Sequence, residues 1–285
     1  MRRGVKQVFS GEERVVLYLW LFLVGIPAGI IGGLLGTGGC VLMMPVIRFG
    51  FHFDPALAVG TTLTAVVFTA GSGAYQHMRM GNVDRETALL TGYSGVLGVI
   101  IGSIVFAYVK PYGNLIDLII GVAFVLPSVR MLYEGLILLP RQARLAGGGG
   151  TVAAPQAGQT VPGAPISKSI LGSAIGFLTG IIGLGGGYAL VPSFIYVLKG
   201  PMKLAIGTSM ASFIWMALVG AIFKLAQQVV NVPAAVCLGI GAVIGALYGA
   251  KLVARVKVAT LKALFGAIFL YVAAKYILIY FGIAI

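Results

Sequence analysis

Two glycine clusters are the residues of this sequence best suited to chemistry: Gly36-Thr37-Gly38-Gly39-Cys40 and Gly183-Leu184-Gly185-Gly186-Gly187, each six residues before a proline. Glycine clusters let the backbone leave helical geometry and expose N–H groups. A helix that restarts after such a break points unpaired N–H groups, with partial positive charge, at whatever lies in front of it. In a bilayer, irregular backbone survives only where protein buries it or where it lines a cavity. Two such breaks are the expected construction of an anion site near the membrane midplane. Gly36, Gly38, Gly39, Gly183, Gly185, Gly186 and Gly187 are therefore candidate substrate-binding residues. Neither cluster has the Gly-Lys-Ser/Thr of a phosphate loop or the strand–turn–helix setting of a dinucleotide fingerprint. Gly29/Gly33 and Gly98/Gly102, by contrast, have the spacing of close helix packing.

Hydroxyls form the second group. Gly60-Thr61-Thr62 and Gly207-Thr208-Ser209 stand at the starts of hydrophobic segments. Thr61, Thr62, Thr208 and Ser209 either donate to a small oxyanion or bond within and between helices. A third group is Tyr75-Gln76-His77 with Arg79, matched by Lys224. His77 is expected at the membrane interface rather than in a proton relay, and His52 in a loop. Asp117 is the single carboxylate expected inside an apolar segment. His77, Lys224 and Asp117 are the candidates for a path or coupling role. The scarcity of intramembrane carboxylates weakens cation-coupled readings. No H-E-x-x-H or Ser–His arrangement supports an intramembrane protease. Cys40 and Cys237 imply neither a disulfide framework nor a zinc site, and no metal or cofactor is expected.

The elements that must position these residues are apolar helices. The chain has 285 residues, 59% hydrophobic and 9% charged, with a mean hydropathy of +1.03. Soluble domains are about 25% charged, so a water-facing globule is excluded. The apolar stretches are continuous rather than alternating, which argues against a β-barrel. They fall at about 15–35, 56–76, 88–109 and 114–133, then 169–182, 204–223, 232–254 and 259–281. Short pieces at 38–49 and 186–198 follow the glycine clusters. These pieces are too short to span at about 1.5 Å per residue and are expected to be broken or re-entrant helices. The N-terminal apolar run is expected to be a retained helix rather than a signal peptide.

The sequence also repeats. A shift of 147 residues lays Pro45 on Pro192, Ala58-Val59-Gly60-Thr61-Thr62 on Ala205-Ile206-Gly207-Thr208-Ser209, and Lys110 on Lys257. The expected organisation is a first transmembrane repeat (1–139), a flexible Gly/Pro-rich linker (140–167) and a second repeat (168–285). Net charge is +2 over residues 1–134 and +11 over the acid-free remainder. Scattered basic residues at helix ends fit membrane anchoring, not nucleic acid. With four crossings per half and the N-terminus inside, eleven Lys/Arg fall on the cytoplasmic side and eight opposite. If the short pieces also cross, the repeats are inverted. Both arrangements are open at this point.

The duplicated G-x-G-G…P box, the A-[VI]-G-T-[TS] box and the loop Gly81-Asn82-Val83-Asp84 together resemble the TauE/SafE (sulfite exporter) family, over about residues 15–280. The resemblance implies an inner-membrane secondary carrier without an ATPase motor. It implies export of sulfite or organosulfonates such as sulfoacetate, with the substrate at the glycine boxes and at Thr61, Thr62, Thr208 and Ser209. The chain departs from the family pattern at Cys40, where a third glycine is usual. The expectation is thus an all-α polytopic protein of the bacterial cytoplasmic membrane, not an enzyme. Its partners would be a small anion and the lipid bilayer. An anion channel or uptake permease is the alternative, ahead of a membrane scaffold or intramembrane enzyme.

Overall fold

The structure is a computed structural model that describes residues 11–138, 160–253 and 255–281. The Gly147-Gly148-Gly149-Gly150 run of the expected linker lies outside the described residues. All regular structure among the described residues is helical. In chain order the helices are α1 (Gly11–Leu35), α2 (Cys40–Pro45, continued by a wider π-type turn, Val46–Gly50), α3 (Pro55–Arg79), α4 (Arg85–Val109) and α5 (Gly113–Tyr133). After the linker come α6 (Pro165–Ile182), α7 (Gly187–Tyr196), α8 (Met202–Ala226), α9 (Val232–Val253) and α10 (Val258–Tyr280). Eight of them, all except α2 and α7, are long and apolar enough to cross a membrane. Each matches an apolar segment expected from the sequence. The protein is a multi-pass membrane protein, of the inner membrane in bacteria.

The starts of the helices follow local chemistry. Asp54 caps α3 by accepting from the Ala56 N–H at 3.0 Å, with Pro55 in the first turn, where a missing N–H costs nothing. Asp84 caps α4 by accepting from the Thr87 N–H at 3.2 Å. The outer helices expose bulky apolar side chains, such as Leu19 and Trp20 on α1 and Leu97, Ile101 and Tyr108 on α4. Lipid satisfies such faces. α3 and α8 are the most buried of the spans.

Glycines set which helices pair. A methyl group at Gly29 of α1 would lie 2.2 Å from the Ala242 carbonyl oxygen of α9, and one at Gly176 of α6 would lie 2.0 Å from the Gly95 oxygen of α4. Backbones this close exclude any side chain larger than hydrogen, the small-residue packing of membrane helices. Contacts step in the same direction along each pair. Gly25, Gly29 and Gly33 meet Leu238, Ala242 and Ala246, while Gly172, Gly176 and Gly180 meet Thr91, Gly95 and Val99. Thus α1 runs parallel to α9 and α4 parallel to α6. Each pair joins one helix from either side of the linker. Adding 147 to the α1 residue and subtracting 147 from the α9 residue converts each first-set contact into its second-set counterpart: Gly25–Leu238 becomes Gly172–Thr91.

These directions fix the two ends of the bundle. The Asn231 N–H, just before α9, donates to Thr61 Oγ1 in the second turn of α3 at 3.0 Å. Hence α1, α3, α5 and α9 begin at one end, called upper below. The Asp84 N–H, just before α4, donates to Thr208 Oγ1 in the second turn of α8 at 2.9 Å. Hence α4, α6, α8 and α10 begin at the lower end. The described end of the linker lies there too, since the Val161 N–H donates to Asp84 Oδ2 at 2.8 Å.

Candidate functional site

α1 ends in a run of left-handed backbone. Gly36, Gly38 and Gly39 have φ of 75°, 68° and 79°, and across the linker Gly183 and Gly185 have 71° and 66°. L side chains rarely adopt this conformation. At these bends the chain turns back: a methyl group at Gly39 would lie 2.6 Å from the Ala28 oxygen, so α2 folds against α1. α2 then returns to the upper end, where Arg48 pairs with Asp117 of α5 at 3.0 Å. α7 ends at Tyr196, whose hydroxyl donates to Glu134 at 3.2 Å. Glu134 also pairs with Lys262 of α10, near the lower end.

The two bends meet. A methyl group at Gly187 would lie 2.4 Å from the Gly36 oxygen and 2.7 Å from the Thr37 Cα. Gly38 and Gly185 both pack on the Phe213 ring and on Val66. Phe213 and Val66 sit near the midpoints of α8 and α3, so the bends lie at mid-thickness. Every residue from Gly32 to Val41 and from Thr179 to Tyr188 is buried.

Around the bends, the expected hydroxyls divide. Thr61 and Thr208 accept backbone N–H groups from the opposite side of the linker, as given above. Ser209 Oγ shares its one hydrogen between the Gly36 oxygen at 2.9 Å and the Ile206 oxygen of its own helix at 2.8 Å. Thr62, the position matching Ser209, has a buried Oγ1 without a partner. Thr37 Oγ1 and the Tyr188 hydroxyl are also buried and unpartnered. Buried hydroxyls are normally paired with protein or water; these three have no partner among the described residues. The Cys40 Sγ donates to the Thr37 oxygen at 3.1 Å. Among the described residues no group of three metal-ligating side chains occurs.

His77 stands in the last turn of α3. It is fully buried against the protein, with Nε2 at 3.0 Å from the Gly33 oxygen. Lys224, 147 residues on, is fully buried in α8, and its Nζ donates to the Gly180 oxygen at 2.7 Å. The reason is the break itself. A helix end leaves its last carbonyls without N–H partners, and water is absent to take them. Gly33 and Gly180 are the corresponding carbonyls of α1 and α6, and a donor from the neighbouring helix reaches each one. Sequence reasoning paired position 77 with 224 but had no signal for these acceptors, which lie 44 residues away in either case. Asp117 is buried, with both oxygens facing the Arg48 guanidinium at 3.0 and 3.5 Å.

A profile of the sulfite exporter TauE/SafE family matches residues 21–276. The chain belongs to this family. Among curated relatives it is 28% identical over 237 residues to the probable membrane transporter protein YdhB of Bacillus subtilis, covering 83% of this chain and 89% of that one. It is 25% identical over 279 residues to YunE of the same organism, also a probable membrane transporter protein, covering 93% and 98%. The probable membrane transporter protein MJ0441 of Methanocaldococcus jannaschii is 26% identical over 211 residues, covering 69% and 68%. No solved structure matches the chain. As a family member the protein is a membrane transporter, and the bends described above fall within the matched region.

Proposed function

We propose that the protein is a secondary transporter that exports small sulfur-containing anions, sulfite or organosulfonates such as sulfoacetate. The substrate would be held where the two glycine bends meet. The observation that carries this reading is the meeting of the bends at mid-thickness beside the orphan hydroxyls of Thr37, Thr62 and Tyr188. Hydroxyl and backbone donors suit an oxyanion, and a site between two facing units is the usual construction of a carrier. Gly36, Gly38, Gly39, Gly183, Gly185, Gly186 and Gly187 supply the backbone in this proposal. Thr61, Thr208 and Ser209 brace it, because their oxygens already hold backbone groups. The two halves would be copies of one unit in opposite orientation, each with a re-entrant hairpin (α1–α2 and α6–α7), and rocking of one against the other would alternate access. Among the described residues, ten Lys/Arg lie toward the lower end and five toward the upper. Positive charge favours the cytoplasmic side, so the linker would be cytoplasmic.

Flux tests this. Purified protein in liposomes loaded with sulfite or sulfoacetate should show saturable efflux, and a Thr37→Val/Thr62→Val variant should lose at least ~10-fold, the worth of about 1.4 kcal/mol of binding. Absence of flux for every sulfur oxyanion, or unchanged flux in the variant, refutes the assignment. Non-saturable flux set only by membrane potential would identify a channel instead.

A further inference from the structure

A second polar cluster begins at the end of α6, beside its bend, and extends between α4, α6 and α8. At its centre is Lys224, fully buried, donating to the Gly180 oxygen at 2.7 Å with its Nζ 3.2 Å from the centroid of the Phe106 ring. An ammonium has three donors, and capping one carbonyl uses one of them. Among the described residues Lys224 makes no ion pair.

Its neighbours are also unsatisfied. Ser103 Oγ, Thr179 Oγ1 and Gln227 Oε1 are all buried without partners. Backbone contacts bring them together. A methyl group at Gly180 would lie 2.7 Å from the Ser103 N, and Thr179 directly precedes Gly180. Gln227 Nε2 donates to the Ser103 oxygen at 2.7 Å, and Phe106 lies one turn on from Ser103. Lys110 follows one turn further, at the upper end of α4, and adds a second positive field.

The opposite half shows that the fold does not require this polarity. At the positions 147 residues away stand His77 for Lys224, Gly32 for Thr179, Ala250 for Ser103, Met80 for Gln227 and Val253 for Phe106. His77 caps its carbonyl with glycine, alanine and methionine at the matching positions. Capping a broken helix therefore needs one donor only. The Ser103 and Thr179 hydroxyls and the Gln227 Oε1 take no part in that cap, and each buried orphan costs free energy, about 1–3 kcal/mol.

We propose that Lys224, Ser103, Thr179 and Gln227 form a second anion site that takes a small oxyanion near the upper end of the protein. Lys224 supplies charge, Ser103 and Thr179 donate hydroxyl hydrogens, and Gln227 accepts from the proton of a hydrogen-bearing anion. Gln227 is half-exposed at the end of α8, so the site opens toward the upper face. This deepens the transport reading by giving the substrate a station between the bends and one surface. Its binding is measurable whether or not flux occurs.

The test is equilibrium binding of sodium sulfite and sodium sulfate to the purified full chain, against chloride at equal ionic strength. The background is Thr37→Val/Thr62→Val, which removes two of the three central orphan hydroxyls and weakens the site at the bends. One saturable anion is expected to remain. Lys224→Met should weaken it at least ~10-fold, and Ser103→Ala/Thr179→Val, which leaves the carbonyl cap intact, at least ~3-fold. Absence of binding in this background, or binding unchanged by both sets of variants, overturns the proposal even if flux persists. Binding that depends on Lys224 in a protein that moves no anion would instead refute the transport reading and leave this site standing.

Discussion

Asp84 offers the most direct check of how the lower end is assembled. Its carboxylate caps α4 and also accepts from the Thr87 hydroxyl at 2.6 Å and from the Val161 N–H at 2.8 Å. Val161 lies at the described end of the linker and is 1% exposed. Asp84→Asn removes the charge and offers donors where donors already stand, so one acceptor must serve three partners. A hydrogen bond to a charged group contributes about 1.5–3 kcal/mol. Taking about 2 kcal/mol for the Val161 clamp, its amide should exchange with solvent deuterium roughly 30-fold faster in the variant. Burial pushes the Asp84 pKa up, but the hydrogen bonds from Thr87 and Val161 and the positive charge of Lys168 outweigh it, and the net shift is downward. A depressed pKa contributes stability above the unfolded value that is lost as pH falls through the folded one. Protection of Val161, corrected for intrinsic exchange, should therefore persist from about pH 7 to about pH 5 and fail only below about pH 4. Hydrogen exchange read by mass spectrometry over residues 160–168 measures both effects. Exchange within twofold of the parent in Asp84→Asn, or protection lost already near pH 6, would refute the reasoning.

Four further outcomes are expected. Gly176→Ala places a methyl group 2.0 Å from the Gly95 oxygen and should abolish the monodisperse peak on size exclusion. Gly81→Ala meets nothing within 4 Å; it should cost only about 1–2 kcal/mol of left-handed strain and retain that peak. Phe213→Ala removes the ring that touches both bends; passive sulfite leak through proteoliposomes should rise, and an unchanged leak would show that the ring is not the barrier. Cysteines introduced as Val15→Cys and Thr160→Cys should be labelled by an impermeant maleimide from opposite faces of sealed vesicles. Labelling from one face would contradict the parallel pairing of α1 with α9.

The contacts of His77 and of the two threonines share one cause. His77 stood next to Arg79 near the end of an apolar run, a pattern that suggests an interface. Its burial follows from the carbonyl of Gly33, released by a bend three residues later on a different helix. For Thr61 and Thr208 the sequence left open a donor role and bonds between helices; in the structure each oxygen accepts an N–H more than 120 residues away. Neither partner leaves a mark in the local pattern of residues.

By itself the sequence determined the helices and their breaks. Apolar length fixes which segments can cross a bilayer, and glycine clusters fix where regular backbone stops, because both properties are local. It also carried the 147-residue spacing, which pairs His77 with Lys224 as positions. Only the tertiary structure decided which helices lie together. α1 packs on α9 and α4 on α6, across the linker, because glycines that look alike along the chain must find complementary backbone in space. The same pairing decides which carbonyls the broken helices leave open and which side chains reach them. Once those bonds are made, the hydroxyls of Thr37, Thr62, Ser103 and Thr179 remain unmatched inside the protein.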